Sequence, residues 1–323
     1  MTRLVYLLAA SHSGSTLTAM LLGAHPDVCS VGELKWTSMG DIDGYRCSCG
    51  SLIKQCGFWG DIKRDMNGRG FEFEIGRTGT DLRANATDLQ RKLLRPLQRG
   101  PFMELMRDTA LALSPGWSAK LAENQKRNAA FAAAVLRRSG KQVLVDSSKI
   151  GMRLKYLLRN PELDVRVIRV IRDGRAVALT YTDPANFADA VNPALRGGGT
   201  GASRDHQRLP MEHAAREWRR SNEEAETILR TMEPSRWTAV RYEDMCADPS
   251  GVLDRLFTFI GVDPARKQLD FRSTEHHVVG NGMRLDGTSE IRVDHRWRQA
   301  LSAAELESFA AVAGPLNQRL GYA

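Results

Sequence analysis

The chain contains no run of 18 apolar residues, so none of it reads as a membrane-spanning helix. Its first glycine-containing loop holds no lysine. A Walker A loop ends Gly-Lys-Ser/Thr and uses that lysine to reach the outer phosphates of a nucleotide. Here Gly14 is followed by Ser15, which disfavours an ATP or GTP hydrolase. Aromatic residues make up only 7% and do not interleave with the basic ones, so single-stranded nucleic acid is a weak reading and none is expected as partner. Cysteines number five, an odd count. Three of them, Cys47, Cys49 and Cys56, fall within ten residues. Three thiolates bind zinc if Cys29 or a histidine adds a fourth ligand, although Cys-x-x-Cys is the more typical spacing. A metal site, a disulfide and free thiols in an ordered loop all remain open. A signal peptide is disfavoured, because the apolar run after Arg3 is short and no small-residue cleavage site follows. A cytoplasmic protein is the expectation.

What is present is informative from residue 4 onward. Leu4 to Ala10 is a short apolar run that fits a buried strand. A turn of small residues follows, Ser11-His12-Ser13-Gly14-Ser15-Thr16, and then Leu17, Met20, Leu21 and Leu22 recur with helical spacing. Strand, small-residue loop and helix form the arrangement that cradles phosphate, with backbone N–H groups and the helix dipole aimed at the anion. Ser15 and Thr16 are expected to cap the helix, and a capped helix after a buried strand is the plain alternative. Further buried strands are expected at 28–31, 142–146, 165–171 and 237–242. Strands alternating with helical patterns predict an α/β fold: a P-loop-like domain with a central parallel sheet flanked by helices. Residues 60–140 read as a helical insertion in a single 1–323 domain. Residues 183–210, rich in glycine and proline, read as a long loop or lid over an acceptor.

The net charge of +8 is uneven. Residues 149–175 carry eight basic residues against three acidic ones. Arg153, Lys155 and Arg159 among them fit a solvated helix face. Arg172 stands at the end of the fourth predicted strand, where ligands collect in open α/β sheets. Asp173 suits the cap of the next helix, and Thr180 lies about two turns along it. One arginine and one hydroxyl then converge on a phosphate, arginine being a forked donor. The alternative is a surface salt bridge for Arg172 and sheet packing for Thr180.

The two motifs together resemble the sulfotransferases that use 3′-phosphoadenosine 5′-phosphosulfate (PAPS), in their bacterial carbohydrate and tyrosyl-protein branch. The resemblance extends to Arg241-Tyr242-Glu243-Asp244-Met245, Asp248-Pro249, Gly280-Asn281-Gly282-Met283-Arg284 and Asp294…Trp297, but not to residues 60–140. It implies that Ser13, Gly14, Ser15, Thr16 and Leu17 bind the 5′-phosphosulfate. It implies that Arg172, Thr180 and Arg284 bind the 3′-phosphate and that Tyr242 contacts adenine. The family usually has lysine or arginine where this chain has His12, whose imidazole is only partly charged at neutral pH. His12 is expected to assist transfer directly. Glu33, in Val31-Gly32-Glu33-Leu34, matches the family's base, and Lys149 the lysine that stabilises the departing bridging oxygen. The implied reaction moves a sulfonate in line from PAPS to an acceptor hydroxyl on a glycan, glycolipid or secondary metabolite, and needs no metal. A small-molecule kinase, with Asp146 as its magnesium carboxylate, and a non-catalytic nucleotide-binding module are the alternatives.

Overall fold

The computed structural model describes residues 1–34, 42–84, 86–95, 100–184 and 208–322. Most of the expected acceptor loop, 185–207, lies outside them, as do residues 85 and 96–99 of the expected insertion. Five parallel strands form one sheet in the order β2-β3-β1-β4-β5. They are β1 (Thr2–Ala9), β2 (Val28–Ser30), β3 (Val143–Lys149), β4 (Leu163–Ile171) and β5 (Trp237–Arg241). All five strands expected from the apolar runs are present, displaced by no more than a few residues at their ends.

The first strand explains the layering. Its residues are buried without interruption from Leu4 to Ala9, yet they divide between two cores because successive side chains point to opposite faces. Leu4, Tyr6 and Leu8 join a core with Phe131 and Val135 of one helix and Leu154 and Leu157 of another. Val5, Leu7 and Ala9 join a second core with Leu21, Leu256 and Phe257. A strand covered on both faces by helices needs an unbroken apolar run, and this one has it.

The helices follow the alternation. After β1 comes α1 (Ser15–Gly23). Between β2 and β3 run α2 (Gly57–Gly68), α3 (Asp88–Leu93), α4 (Gly100–Ala112) and α5 (Trp117–Ser139). Next are α6 (Gly151–Leu157) before β4, then α7 (Gly174–Thr182) and α8 (Met211–Leu229) before β5. The chain closes with α9 (Tyr242–Ala247), α10 (Pro249–Ile260), α11 (Trp297–Ala300) and α12 (Ala303–Arg319). Among the described residues no helix is long and apolar enough to cross a membrane.

Two local expectations are corrected. Helix α1 is not capped by Ser15 or Thr16. Its N-cap is Gly14, in a left-handed conformation (φ 84°), and no side chain caps it. The charges on α6 are not a solvated face. Arg153 is nearly buried and pairs with Asp146 at 3.0 Å, while Lys155 pairs with Glu104 at 2.9 Å and Asp108 at 2.6 Å. Only Arg159, on Asp108 at 3.0 Å, stands half in solvent. These cations tie the helices between β2 and β3 to the sheet.

Strand order also decides where a ligand fits. From β1 the chain moves out to β2, returns through β3, and then passes to β4 and β5 on the other side. Connections that leave in opposite directions open a crevice at the carboxyl ends of the central strands. The residues after β1, β2, β3 and β4 therefore face one another.

Candidate functional site

The loop after β1 brings Ser13 and Gly14 to the start of α1. Gly14 is required there for two reasons. Its φ of 84° favours glycine, and a Cβ would lie 2.4 Å from the ring of Tyr242. With no side-chain cap, the helix N-terminus keeps its positive end and its first N–H groups for an external acceptor. Thr18 turns its hydroxyl back to the Gly14 carbonyl at 3.1 Å and so braces the loop.

Arg172, just past the end of β4, crosses to this loop. Its Nη1 donates to the carbonyl of His12 at 2.8 Å, and its Nη2 donates to Asp294 at 2.9 Å. The guanidinium also lies over the Tyr242 ring, 4.6 Å from its centroid. Tyr242 thus wedges between Gly14 and Arg172, and its hydroxyl donates to the Arg292 carbonyl at 3.2 Å. Asp294 feels opposing influences: burial raises its pKa, and the Arg296 hydrogen bond with the Arg172 charge lowers it further, leaving it well below the usual carboxylate range. The salt bridge anticipated as the alternative for Arg172 is therefore present, yet it does not saturate the side chain. Arg172 Nε is buried with no hydrogen-bond partner, and so is Ser13 Oγ. Two orphaned donors beside an uncapped helix N-terminus make a cradle that an anion completes.

The other half of the site comes from β2 and β3. Lys149 closes β3, and its ammonium donates to a carboxylate oxygen of Glu33, which follows β2. Both side chains are nearly buried. The β1–β3 register slips between Tyr6 and Leu8, so that Leu8 faces Lys149 instead of Ser148. Asp146 holds this irregularity. It is fully buried and accepts from Leu34 N at 3.2 Å, Ser148 N at 2.9 Å, the Ser148 hydroxyl and Arg153 at 3.0 Å. A buried carboxylate that accepts from four donors, one of them a guanidinium, is a poor magnesium ligand, which disfavours the kinase reading.

His12 and Lys149 share a property invisible in the sequence. Among the described residues they are the only non-glycine residues with positive φ, at 61° and 69°. Non-glycine residues adopt that conformation at a cost and hold it where the surroundings impose it, often at functional sites. The His12 ring makes an edge-on contact with Tyr181, 5.1 Å between centroids. Burial, reinforced by the charges of Lys149 and Arg172, lowers its pKa to about 4, against a smaller raising effect of Glu33. At neutral pH the imidazole is uncharged. It can donate one hydrogen bond.

Two other expected residues sit differently. Thr180 is buried on α7, and its hydroxyl donates to the Val177 carbonyl at 2.7 Å. Arg284 is only 1% exposed. Its guanidinium donates to the carbonyls of Arg46, at 2.7 and 3.1 Å, and Gly280, at 2.7 Å, and covers the Tyr45 ring. Those contacts make Arg284 a strut between two loops. Ser15 and Leu17 lie buried in the first turn of α1, with Thr16 partly exposed between them.

The segment carrying Arg284 also sets Glu33. Val279 N donates to Val31 O at 3.0 Å, and Glu33 N donates to Val279 O at 3.3 Å. A Cβ on Gly32 would fall 1.8 Å from the Val279 carbonyl, so only glycine admits this crossing. Sequence reasoning quoted Asp294 but missed its pairing with Arg172, 122 residues away, and the role of Val279. The signal for Gly32 was present in the sequence as a glycine beside the candidate base.

Comparison with known proteins places this arrangement. The sequence profile of the Sulfotransferase family matches residues 80–266, more than half of the chain. The match includes Lys149, Arg172, Thr180 and Tyr242 and much of the 60–140 segment. Among characterised proteins, the chain is 29% identical over 175 residues to mouse carbohydrate sulfotransferase 5, covering 51% of this chain and 44% of that protein. It is 26% identical over 189 residues to human carbohydrate sulfotransferase 2, covering 48% and 34%. The aligned part thus spans less than half of these relatives. In fold, the chain is similar to the sulfotransferase domain of the Synechococcus PCC 7002 olefin synthase, with a TM-score of 0.50, 20% identity and coverage of 98% and 94%. The sulfotransferase domain of the curacin biosynthetic pathway gives a TM-score of 0.50 at 18% identity, with coverage of 100% and 99%.

Proposed function

Because this chain belongs to the sulfotransferase family, we propose that it transfers a sulfonate group from PAPS to an acceptor hydroxyl, as one domain with residues 60–140 as a helical insertion. The observation that carries the reading is the pair of buried orphaned donors, Ser13 Oγ and Arg172 Nε, beside the uncapped start of α1. They fit a multiply charged phosphate ester. Bound there, PAPS would supply an activated sulfonate with adenosine bisphosphate as its leaving group. Ser13, Gly14, Ser15, Thr16 and Leu17 hold the phosphosulfate end, Arg172 the 3′-phosphate, and Tyr242 the wall between them. Thr180 retains an acceptor-side role at most, since its proton is committed to Val177. The contacts of Arg284 support a bracing role instead of a phosphate contact.

Glu33 takes the proton of the attacking hydroxyl, and Lys149 meets the negative charge that develops on the oxygen being released. Their pairing supports this division of labour, because it sets a base and a cation within one hydrogen bond of each other. An arriving anion competes for Lys149 and frees the Glu33 carboxylate. His12, uncharged, donates a hydrogen bond to the transferring group. The acceptor is a hydroxyl of a glycan, glycolipid or secondary metabolite. In support, Ile150, next to Lys149, lines a cleft with the polar residues Thr80, Arg83, Asn124 and Gln125. Residues 183–210 are assigned to the acceptor loop on their glycine- and proline-rich sequence. No disulfide joins the five cysteines, which supports a reducing, cytoplasmic setting.

Calorimetric titration with 3′,5′-adenosine bisphosphate, in buffer without added divalent cations, tests the reading. Wild type binds, and Arg172→Ala binds at least about tenfold more weakly. Absence of binding by a folded wild type sinks the assignment. Binding without transfer to any hydroxyl from labelled PAPS leaves the nucleotide-binding module instead.

A further inference from the structure

Between the 45–56 loop and the 276–280 segment, three cysteines and a histidine converge. Cys47, Cys49, Cys56 and His277 place their ligand atoms within 4.8 Å of one another. Cys49 Sγ is 3.7 Å from Cys56 Sγ, and His277 Nδ1 is 3.5 Å from Cys56 Sγ and 3.7 Å from Cys47 Sγ. A tetrahedral zinc ion with bonds of about 2.3 Å to sulfur and about 2.05 Å to nitrogen separates its ligands by about 3.8 Å (S to S) and about 3.6 Å (S to N). The observed spacings match those edges before any ion is added. We propose that these four residues bind a single zinc ion in a closed, structural Cys3His site.

The surroundings point the same way. His277 Nε2 lies 3.3 Å from a carboxylate oxygen of Glu275, the type of outer partner that keeps the proton on that nitrogen and leaves Nδ1 to the metal. The imidazole is held flat against Phe58, 4.2 Å between centroids and 9° from parallel. Cys56 stands at the N-terminus of α2, where the helix dipole favours a thiolate. The Cys47–Cys49 turn is tight. Gly50 N donates to Cys47 O at 2.9 Å, and Gly50 takes a φ of 87° that returns the chain. Cys47 and Cys56 are buried, whereas Cys49 reaches the surface and provides an entry path. On binding, each ligating thiol releases its proton to solvent, and no redox partner is required. A disulfide between any two of the sulfurs would leave the third sulfur and the imidazole without purpose.

The site has a definite mechanical consequence. It clamps the 45–56 loop to the 276–280 segment, two stretches that also share the Ser48 Oγ–His276 O bond at 2.7 Å and the Gly280 N–Tyr45 Oη bond at 2.8 Å. Because Val279 holds Glu33 and the strand before it, zinc fixes the backing on which the proposed base rests. The metal is a positioning element and takes no part in transfer.

The test starts with protein purified under reducing conditions without chelator. Elemental analysis should find about one zinc per chain, and cobalt(II) exchanged into it should show thiolate-to-cobalt charge transfer with the intense visible bands of a tetrahedral site. His277→Ala and Cys49→Ser should lose the metal, whereas Cys246→Ala should retain it. If the variants fail to fold, the cobalt spectrum of the wild type still decides. Protein that holds neither zinc nor cobalt when reduced, or whose mass spectrum shows a native Cys49–Cys56 disulfide, overturns the proposal. Neither readout depends on the proposed reaction.

Discussion

The two halves of the crevice are finished to different degrees. On the β1–β4 side, Ser13 Oγ and Arg172 Nε are buried without partners and α1 begins without a cap. On the β2–β3 side, Glu33 and Lys149 pair with each other, and Asp146 accepts four hydrogen bonds. A buried donor without an acceptor costs roughly 1–3 kcal/mol, so the first half presents donors that an anion can satisfy. The second half is a closed ion pair that must exchange partners before it acts. On the proposed roles, one side binds and the other does the chemistry, so substitutions on the two sides should fail differently.

The largest effects should come from the β2–β3 side. Asp146→Ala strips a fully buried carboxylate from Arg153 and from three other donors. It should cost about 3–5 kcal/mol in urea unfolding, and a loss under 1 kcal/mol would break the claim that this carboxylate braces the side. Glu33→Gln should lower turnover about 10²- to 10⁴-fold while leaving adenosine bisphosphate affinity nearly intact. Equal losses in both would merge the two halves. His12→Ala, at the seam, should cut turnover about 10²-fold, read as kcat with labelled PAPS. An unchanged kcat would confine the residue to loop geometry. On the β1–β4 side, Arg172→Ala should weaken nucleotide binding about 10- to 100-fold.

Stability should also depend on pH. Burial lowers the His12 and His276 pKa values to about 4, below the 6.5 of an unfolded chain. Between these values the unfolded state takes up protons that the folded state refuses. Stability should be full above about pH 6.5 and decline as the pH falls toward about 4. Urea midpoints measured across that window check the sign, and a rise on acidification would contradict it.

Much of the fold was legible because it rests on periodicity. Leu4–Ala9 and Val143–Val145 are apolar without a break, as strands covered on both faces must be, and Val165–Ile171 is interrupted only by Arg166 and Arg169. The candidate residues at strand ends were legible for the same reason, since a strand's end is a local feature. Local reading failed where a partner is remote. It described the α6 cations as solvated, although Arg153 reaches Asp146 and Lys155 reaches Glu104 and Asp108. It could not see that Arg284 donates to the carbonyl of Arg46, 238 residues away. It counted three clustered cysteines without finding His277, which lies 230 residues beyond Cys47.

The amino-acid sequence by itself determined the strand–helix alternation, the small-residue turn before α1 and the chemical types available at each strand end. These depend on side-chain spacing within a few residues, where hydrophobic burial and backbone conformation act directly. Only the tertiary structure decided that Glu33 meets Lys149, that Arg172 reaches the His12 loop, and that His12 and Lys149 are held in left-handed backbone. The order β2-β3-β1-β4-β5 brings the four strand ends together, and electrostatics and hydrogen bonding at that junction act between atoms far apart in sequence.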